Sequence, residues 1–397
     1  MLMRYILSAA LCAATLLPAA LQAQTITTVA GNGGTGDTGD GGAATSANVG
    51  SPWGMAAAAD GSYYIGGYNL IRRVGADGVI RAAAGDGTWG SEGDGGPATS
   101  ARLAGNMNGL AIGPDGHLYI ADTFNSRIRK IDGGGTISTV VEIEWPNALG
   151  FDPAGNMYIG GACVVHRRTP DGTLSRFAGT GTCGATAGDG GQASQAVLAS
   201  WVYGIAVDTA GNVWLSHDGE AAADRRLRKI RPDGVISTPA IVGAAVEGPI
   251  GLAADSAGRV YAVQRNAHTV IRIDADGTTA TLVAGRTYFP GFEGDGGPAT
   301  DAKLNVPAGM AIANGHFLVA DTHNHRVRKV TADVSPIPFA PRPTTTCAGE
   351  GYTGTKLEWC RNICERGYTG STLAMWIRRW TDRYRTLPYC ALEPQPE

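Results

Sequence analysis

Short apolar runs broken by glycine-containing turns recur along the chain, and one order of runs comes back six times. The clearest copy, Gly109 to Val141, reads GLAIGPDGHLYIADTFNSRIRKIDGGGTISTVV. An apolar run leads into a Pro-Asp-Gly turn, a second apolar run closes on Ala-Asp, an alternating basic run follows, and a glycine turn feeds a last β-rich run. Partner copies begin at Gly54, Ala148, Gly204, Gly251 and Gly309. The runs have the length and β-branched content of strands, and none shows a helical period. Four short strands repeating at intervals of roughly 40 to 60 residues predict a β-propeller, one unit to a blade.

The ends of the chain predict how the ring closes. Units one to five each finish in a fourth strand: VIRAAAG (79–85), TISTVVE (136–142), TLSRFAG (173–179), VISTPAIVG (235–243) and TATLVAG (279–285). The sixth stops at RVRKVTAD, while an orphan strand of the missing type, TITTVAG (25–31), stands near the N-terminus. Pairing the two hides an exposed sheet edge. The expectation is an all-β, six-bladed propeller over residues 24–334, closed by its N-terminal strand.

Composition agrees with this picture and bounds the compartment. Glycine supplies 59 of 397 residues, charged residues only 17%, and the formal net charge is -3, so no affinity for nucleic acid follows. Residues 1–23 place Arg4 before an apolar stretch from Tyr5 to Leu17, then Pro18 and small residues ending in Leu-Gln-Ala. That is the layout of a secretory signal cleaved after Ala23, with an apolar core too short for a membrane span. A periplasmic or secreted protein is expected, with no membrane span once the signal is removed.

Beyond the signal lie six cysteines, and an even number in an exported chain reads as disulfides. Cys163 and Cys183 fall in one propeller unit, whereas Cys347, Cys360, Cys364 and Cys390 crowd the last 51 residues. Four prolines in SPIPFAPRPTTT (335–346) make a semi-rigid spacer between ring and tail. In the tail, GYTGTKLEW (351–359) and GYTGSTLAMW (367–376) form a second repeat, each a turn feeding a helix. Thr355 and Glu358 have capping-box spacing, and Leu373, Trp376, Ile377, Trp380 and Tyr384 form an apolar stripe. A disulfide-stapled helical hairpin over 347–397 follows. Cys360 with Cys390 and Cys347 with Cys364 is one possible pairing, and a four-thiolate zinc site is the alternative.

The combination GDGGPATSARL (93–103) with GLAIGPDGHLYIADTFNSRIRKID, and GDGGPATDAKL (294–304) with LVADTHNHRVRKV, resembles the NHL-repeat propellers, including exported bacterial members and the propeller of teneurins. The resemblance spans about residues 25 to 333 and implies fold more than function. Such propellers include binding scaffolds, sensor domains and some lyases. Lactonases and lyases of similar six-bladed shape typically hold a metal in the central channel. Here the channel-lining first strands, GMAAA, GLAIG, ALGFD, GIAVD, GLAAD and GMAIA, carry no His, Glu or Asn in their middles.

GDGG occurs at 39–42, 93–96, 188–191 and 294–297 and suits a compact turn, glycine giving positive φ and aspartate bonding turn amides. A calcium loop is the alternative, though the fuller DxDxDG ladder is missing. D-T-H-N-H, Asp321 to His325, is the best zinc candidate, and it also matches what the NHL pattern carries before its basic strand. No cofactor is expected. The basic third strands, Arg72-Arg73, Arg129-Lys130, Arg167-Arg168, Arg228-Lys229 and Arg328-Lys329, read as outward, solvated charges paired to neighbouring acids.

Blade topology sorts the loops by face. Turns after first and third strands are short, whereas all GDGG insertions and every irregular connection share the other face. Variable loops on a rigid scaffold are where recognition is expected. Trp89, Phe124, His217, Asp218, Arg265, Tyr288 and His323 are the candidates there for a protein, peptide or carbohydrate ligand. Cys163 and Cys183 map to the same face, where a bridge would brace the loops by roughly 3 kcal/mol. No GxSxG, HExxH or GxGxxG motif points to an enzyme class. The expectation is a binding scaffold, with a metal-assisted lyase or lactonase at the channel mouth as the alternative.

Overall fold

The computed structural model describes residues 24–218, 226–339, 354–364, 375–380 and 383. The apolar runs form six antiparallel sheets of four blade strands each, arranged as a ring. Blade 1 consists of Met55–Ala57, Tyr63–Gly66, Ile71–Val74 and Ile80–Ala84. In blade 6 the strand Ile26–Ala30 pairs with Arg326–Thr331, outside His316–Asp321 and Met310–Ala313. The one-plus-three closure is as expected, and Thr25 fastens it through hydrogen bonds to Thr331 at 2.9 Å.

Blades stack face to face, so the apolar core is divided into layers between neighbours. Val263 and Val270 of blade 5 meet Phe317 and Val330 of blade 6, and Leu318 and Val327 of blade 6 meet Tyr63 and Ile65 of blade 1. Inner strands are therefore covered on both sides. Val260–Gln264 is buried at every position, which is why these runs read as continuous rather than alternating.

The first strands crowd the axis, and glycine makes that possible. A Cβ on Gly309 would stand 2.0 Å from the Trp53 carbonyl oxygen, and one on Gly204 2.2 Å from that of Ile250. Directly after the glycine at this position, or after Ala148 in blade 3, each blade sends one apolar side chain inward: Met55, Leu110, Leu149, Ile205, Leu252 and Met310. They close the channel to a cavity of about 60 Å³.

Three features differ from expectation. In blade 4 the fourth strand is only Ile236–Ser237, because Pro239 removes a ladder donor. Val242–Gly243 instead pairs in parallel with Thr279 and Ala280 at the edge of blade 5. The spacer does not simply leave the ring. Ser335 accepts the Ser256 amide at 2.9 Å, Pro336 bridges to Asp255 of blade 5, and the Phe339 ring packs edge-on to Phe151 of blade 3 at 6.2 Å. The chain thus runs along the short-turn end of the ring.

Cys163 and Cys183 form the expected disulfide, Cα atoms 5.1 Å apart. In the tail, Gly354–Cys364 is helical, Trp359 lies 6.3 Å from Trp376, and Trp380 is buried. Cys360 is buried and disulfide-bonded. Its pairing, Cys347, Cys390 and the signal segment 1–23 lie outside the described residues. No described helix is long and apolar enough to cross a membrane.

Candidate recognition face

The loops of the irregular face are fixed by a clasp that repeats with the GDGG segments. Within each segment two glycine-rich amides and carbonyls pair with the fourth strand of the following blade, as Gly95 N to Ile137 O (2.8 Å) and Ile137 N to Gly96 O (3.1 Å) show. The first glycine sits at positive φ against a small residue: a Cβ on Gly93 would be 2.6 Å from the Ala101 Cα, and one on Gly294 2.6 Å from that of Ala302. The aspartate then points at the third strand. Arg129 donates Nε and Nη2 to Asp94 at 3.0 and 2.7 Å, and Arg328 does the same to Asp295 at 3.1 and 2.7 Å. Arg72 holds Asp40, and Arg228 holds Asp189 through Nη2 at 2.7 Å.

This corrects the view of the basic strands as wholly solvated. The first basic residue of four of the five pairs, Arg72, Arg129, Arg228 and Arg328, is at most 2% exposed, while Arg167 is half-buried. Only the second faces outward, as Arg73 does toward Asp60 and Lys130 toward Asp115. The reason is a covering that exists only in three dimensions: the GDGG insertion lies over the guanidinium. Its remaining donors reach backbone carbonyls of the same insertion, Arg129 Nη1 to Arg102 O at 2.7 Å among them. Blades 3 and 5, which no GDGG precedes, carry His166 and Ile271 at this position. The aspartates are engaged in the clasp, which accounts for GDGG as a structural turn.

A second device caps one blade's loops with its neighbour's side chains. Asn69, His268 and His325, all at positive φ, accept amides of the next blade: Gly105 N at 2.7 Å, Val306 N at 3.0 Å and Ser51 N at 3.1 Å. Both histidines accept through Nδ1. Burial, with His323 nearby, lowers the His268 pKa and favours the neutral ring this bond requires. In D-T-H-N-H, Asp321 is buried and accepts Asn305 N at 2.7 Å and Asn324 Nδ2 at 2.8 Å. The motif is thus a local turn, repeated by Asp122 and Asn125 in blade 2. Among the described residues, no three His, Cys, Asp or Glu side chains gather as a metal site would need.

On this framework stand two sets of aromatic rings. Tyr68, Trp89, Phe124 and Trp145 run in sequence across blades 1 to 3, with centroid steps of 6.2, 5.1 and 5.6 Å, and Trp201 of blade 4 continues at 6.3 Å. The first four are 43–57% exposed. Phe124 lies over Gly105, where a Cβ would come within 2.2 Å of its ring. On the opposite side, Phe289 carries Arg286 at 4.4 Å, Phe292 carries Arg326 at 3.8 Å and Arg328 at 4.9 Å, and Arg265 stands 5.8 Å from Trp53.

Trp89 and Phe124 therefore meet, whereas the other sequence candidates do not join them. Arg265 stands beside the channel mouth at Trp53, Tyr288 is exposed with Glu247 raising its phenol pKa, and His323 is exposed near His268. His217 is not on the loops at all: it is fully buried in the second strand of blade 4, opposite Val202. Asp218 ends that strand opposite Trp201, and its side chain lies outside the described residues. Sequence reasoning passed over Tyr68 and Trp201, and only the ring of blades brings them into line.

The channel offers apolar and backbone groups rather than metal donors. Met55, Leu110, Leu149, Ile205, Leu252 and Met310 fill it, and at its mouth Asn108 Nδ2 is bonded to Asn147 Oδ1 at 2.8 Å. These residues do not fit the channel metal that lactonases and lyases of this shape imply.

The NHL-repeat family profile matches residues 304–330, which run from the end of the blade 6 clasp through the D-T-H-N-H turn into the buried-arginine strand. The chain is thus a six-bladed propeller that carries an NHL repeat over residues 304–330. The propeller is 25% identical to Teneurin-m of Drosophila melanogaster over 73% of this chain and 12% of that protein. Human Teneurin-4 is likewise 25% identical, over 59% of this chain and 8% of that protein. The chain thus spans about a tenth of the length of these relatives. Among solved structures, a protein of unknown function from Bacteroides thetaiotaomicron superposes with a TM-score of 0.59 at 17% identity, covering 78% of this chain and 76% of that one. At such identity the likeness concerns the propeller fold alone.

Proposed function

We propose that this propeller is an exported binding scaffold that engages a protein, peptide or carbohydrate ligand with its long-loop face. One observation carries the reading: four large rings stand next to one another at 43–57% exposure on the long-loop face, Trp89 on a connection held by the Arg129–Asp94 clasp. Contiguous exposed aromatic surface of this kind is rare on a solitary soluble protein and marks interaction sites. The rings are held in place before any ligand arrives, which lowers the ordering cost of binding. Export is supported by the signal-like N-terminus and by bonded cysteines, Cys163 with Cys183 and Cys360.

The test is to probe a displayed peptide library and a glycan array in parallel with the native chain and with Trp89→Ala/Phe124→Ala. The ligands retained by the native chain should be lost from the variant, with melting temperature unchanged. Retention of the same ligands by both proteins would place recognition elsewhere. For localisation, the mature protein should begin after Ala23 in the exported fraction; a chain retaining Met1 in the cytoplasm would contradict export.

A further inference from the structure

We infer that the bare rings of blades 1 to 3 receive arginine side chains from a segment of a partner protein, an inference that rests on the long-loop face being the binding face. The two aromatic sets of that face are chemically unlike. In blades 5 and 6 two of the three exposed rings already carry arginine, Arg286 over Phe289 and Arg326 and Arg328 over Phe292, and the third, Tyr288, is bonded to Glu247. Among the described residues, no guanidinium or ammonium group lies over Tyr68, Trp89, Phe124 or Trp145. The negative π faces on this half are thus left open to a cation, which they attract electrostatically.

Charge in the same loops points the same way. The connection bearing Trp89 also carries Asp86 and Glu92, and the one bearing Trp145 carries Glu142 and Glu144 at exposed positions. Against these four carboxylates stands one exposed guanidinium, Arg102, shared between Asp86 and Glu92 at 3.6 Å each. Arg127, the other cation nearby, is directed to Asp94 and Asp122. An acidic rim around aromatic faces complements a basic segment, repels an acidic one and adds nothing for a neutral sugar. Arginine suits it better than lysine because a planar, weakly hydrated guanidinium can stack on a ring while bonding a carboxylate. In an extended segment, alternate residues lie roughly 6.6 Å apart, close to the 5.1–6.2 Å steps between rings.

The experiment is calorimetric titration of the full chain with the hexapeptide (Gly-Arg)3, with (Gly-Lys)3, with its citrulline analogue and with cellohexaose. The arginine peptide should bind saturably and weaken with added salt, the lysine peptide bind about tenfold more weakly, and the citrulline peptide and sugar give no heat. Trp89→Ala/Phe124→Ala and, separately, Glu92→Gln/Glu144→Gln should each lower arginine-peptide affinity at least tenfold with melting unchanged. Equal binding of the citrulline peptide, or arginine binding indifferent to both variants, would overturn the inference. Cellohexaose binding that needs Trp89 and Phe124, without arginine binding, would overturn it too while leaving the binding-face reading intact. Silence from all four probes would also sink the arginine inference, and the array comparison then decides separately whether the face binds anything.

Discussion

Replacing Asp94 by alanine tests the clasp on which the loop face depends. Arg129 would lose its Nε and Nη2 bonds, at 3.0 and 2.7 Å, and Thr139 would lose the acceptor for its amide and hydroxyl. Removing one partner from a buried ion pair typically costs about 3–5 kcal/mol. Two circumstances reduce that figure. The Asp94 side chain is 37% exposed and therefore screened, and Arg129 keeps the Arg102 and Glu92 carbonyls and faces Asp122 at 3.7 Å. A loss of about 2 kcal/mol is expected, which for a propeller of this length is a fall in melting temperature of about 3 °C. Arg129→Met in the Asp94→Ala background should recover part of the loss, because the buried guanidinium is gone while Asp122 keeps its contacts to Arg127 and Asn125. A coupling of about 1–2 kcal/mol should emerge from the cycle, read as urea midpoints at constant m. Blade 4 supplies the internal control. Among the described residues Arg228 Nε and Nη1 have no hydrogen-bond partner, so Asp189→Ala should cost more than Asp94→Ala. A cost below about 0.5 kcal/mol for Asp94→Ala, or additive single and double variants, would refute the clasp as the buried guanidinium's support.

Stability should also depend on acid in two opposite ways. Burial raises the Asp321 pKa to about 6 against the bonds from Asn324, Asn305 and Arg328. The folded chain therefore takes up a proton between pH 6 and the ordinary carboxyl range that the unfolded chain does not. Melting temperature should rise from pH 7 to pH 5, and Asp321→Asn should remove that rise; a slope unchanged in the variant would contradict it. Burial also pushes the Asp94 carboxyl upward, but bonds from Thr139 and Arg129 outweigh it and hold the pKa below its usual value. That stabilising contribution persists down to the ordinary carboxyl range and is lost as pH falls further through the depressed pKa. Cys163→Ser/Cys183→Ser should destabilise by about 3 kcal/mol in the loop-entropy picture for a separation of 20 residues, checked by denaturation of both forms. Gly309→Ala forces a methyl to within 2.0 Å of the Trp53 carbonyl oxygen, so a loss of about 3 kcal/mol or failure to fold is expected, and an unperturbed melting curve would count against the tight axial packing.

Repetition and turn chemistry by themselves determined the fold. Four strand runs per unit, a sixth unit lacking its last strand and an orphan strand at the start admit one economical closure, and Ile26–Ala30 takes that place beside Arg326–Thr331. Local sequence sufficed because nearly every strand's partners lie within its own unit, the exceptions being the seam and Val242–Gly243 at the edge of blade 5. It sufficed for the Cys163–Cys183 bridge too, since both cysteines belong to one unit. The arginine clasp was half legible: Arg72, Arg129, Arg228 and Arg328 occur only in units that a GDGG precedes, whereas His166 and Ile271 replace them elsewhere.

Tertiary structure decided burial and neighbourhood. A basic strand residue reads as solvated until an insertion from between the blades is laid over it, and that covering cannot be seen along the strand. His217 reads as a loop residue by its place in the sequence, yet packing of blade 4 encloses it. Tyr68, Trp89, Phe124, Trp145 and Trp201 are scattered along the chain and carry no shared motif. They become one surface because the ring sets successive long loops side by side, within one ring-to-ring contact of each other. Whether a ring is bare or covered by arginine depends on which loops meet, a matter of distance through space rather than along the chain.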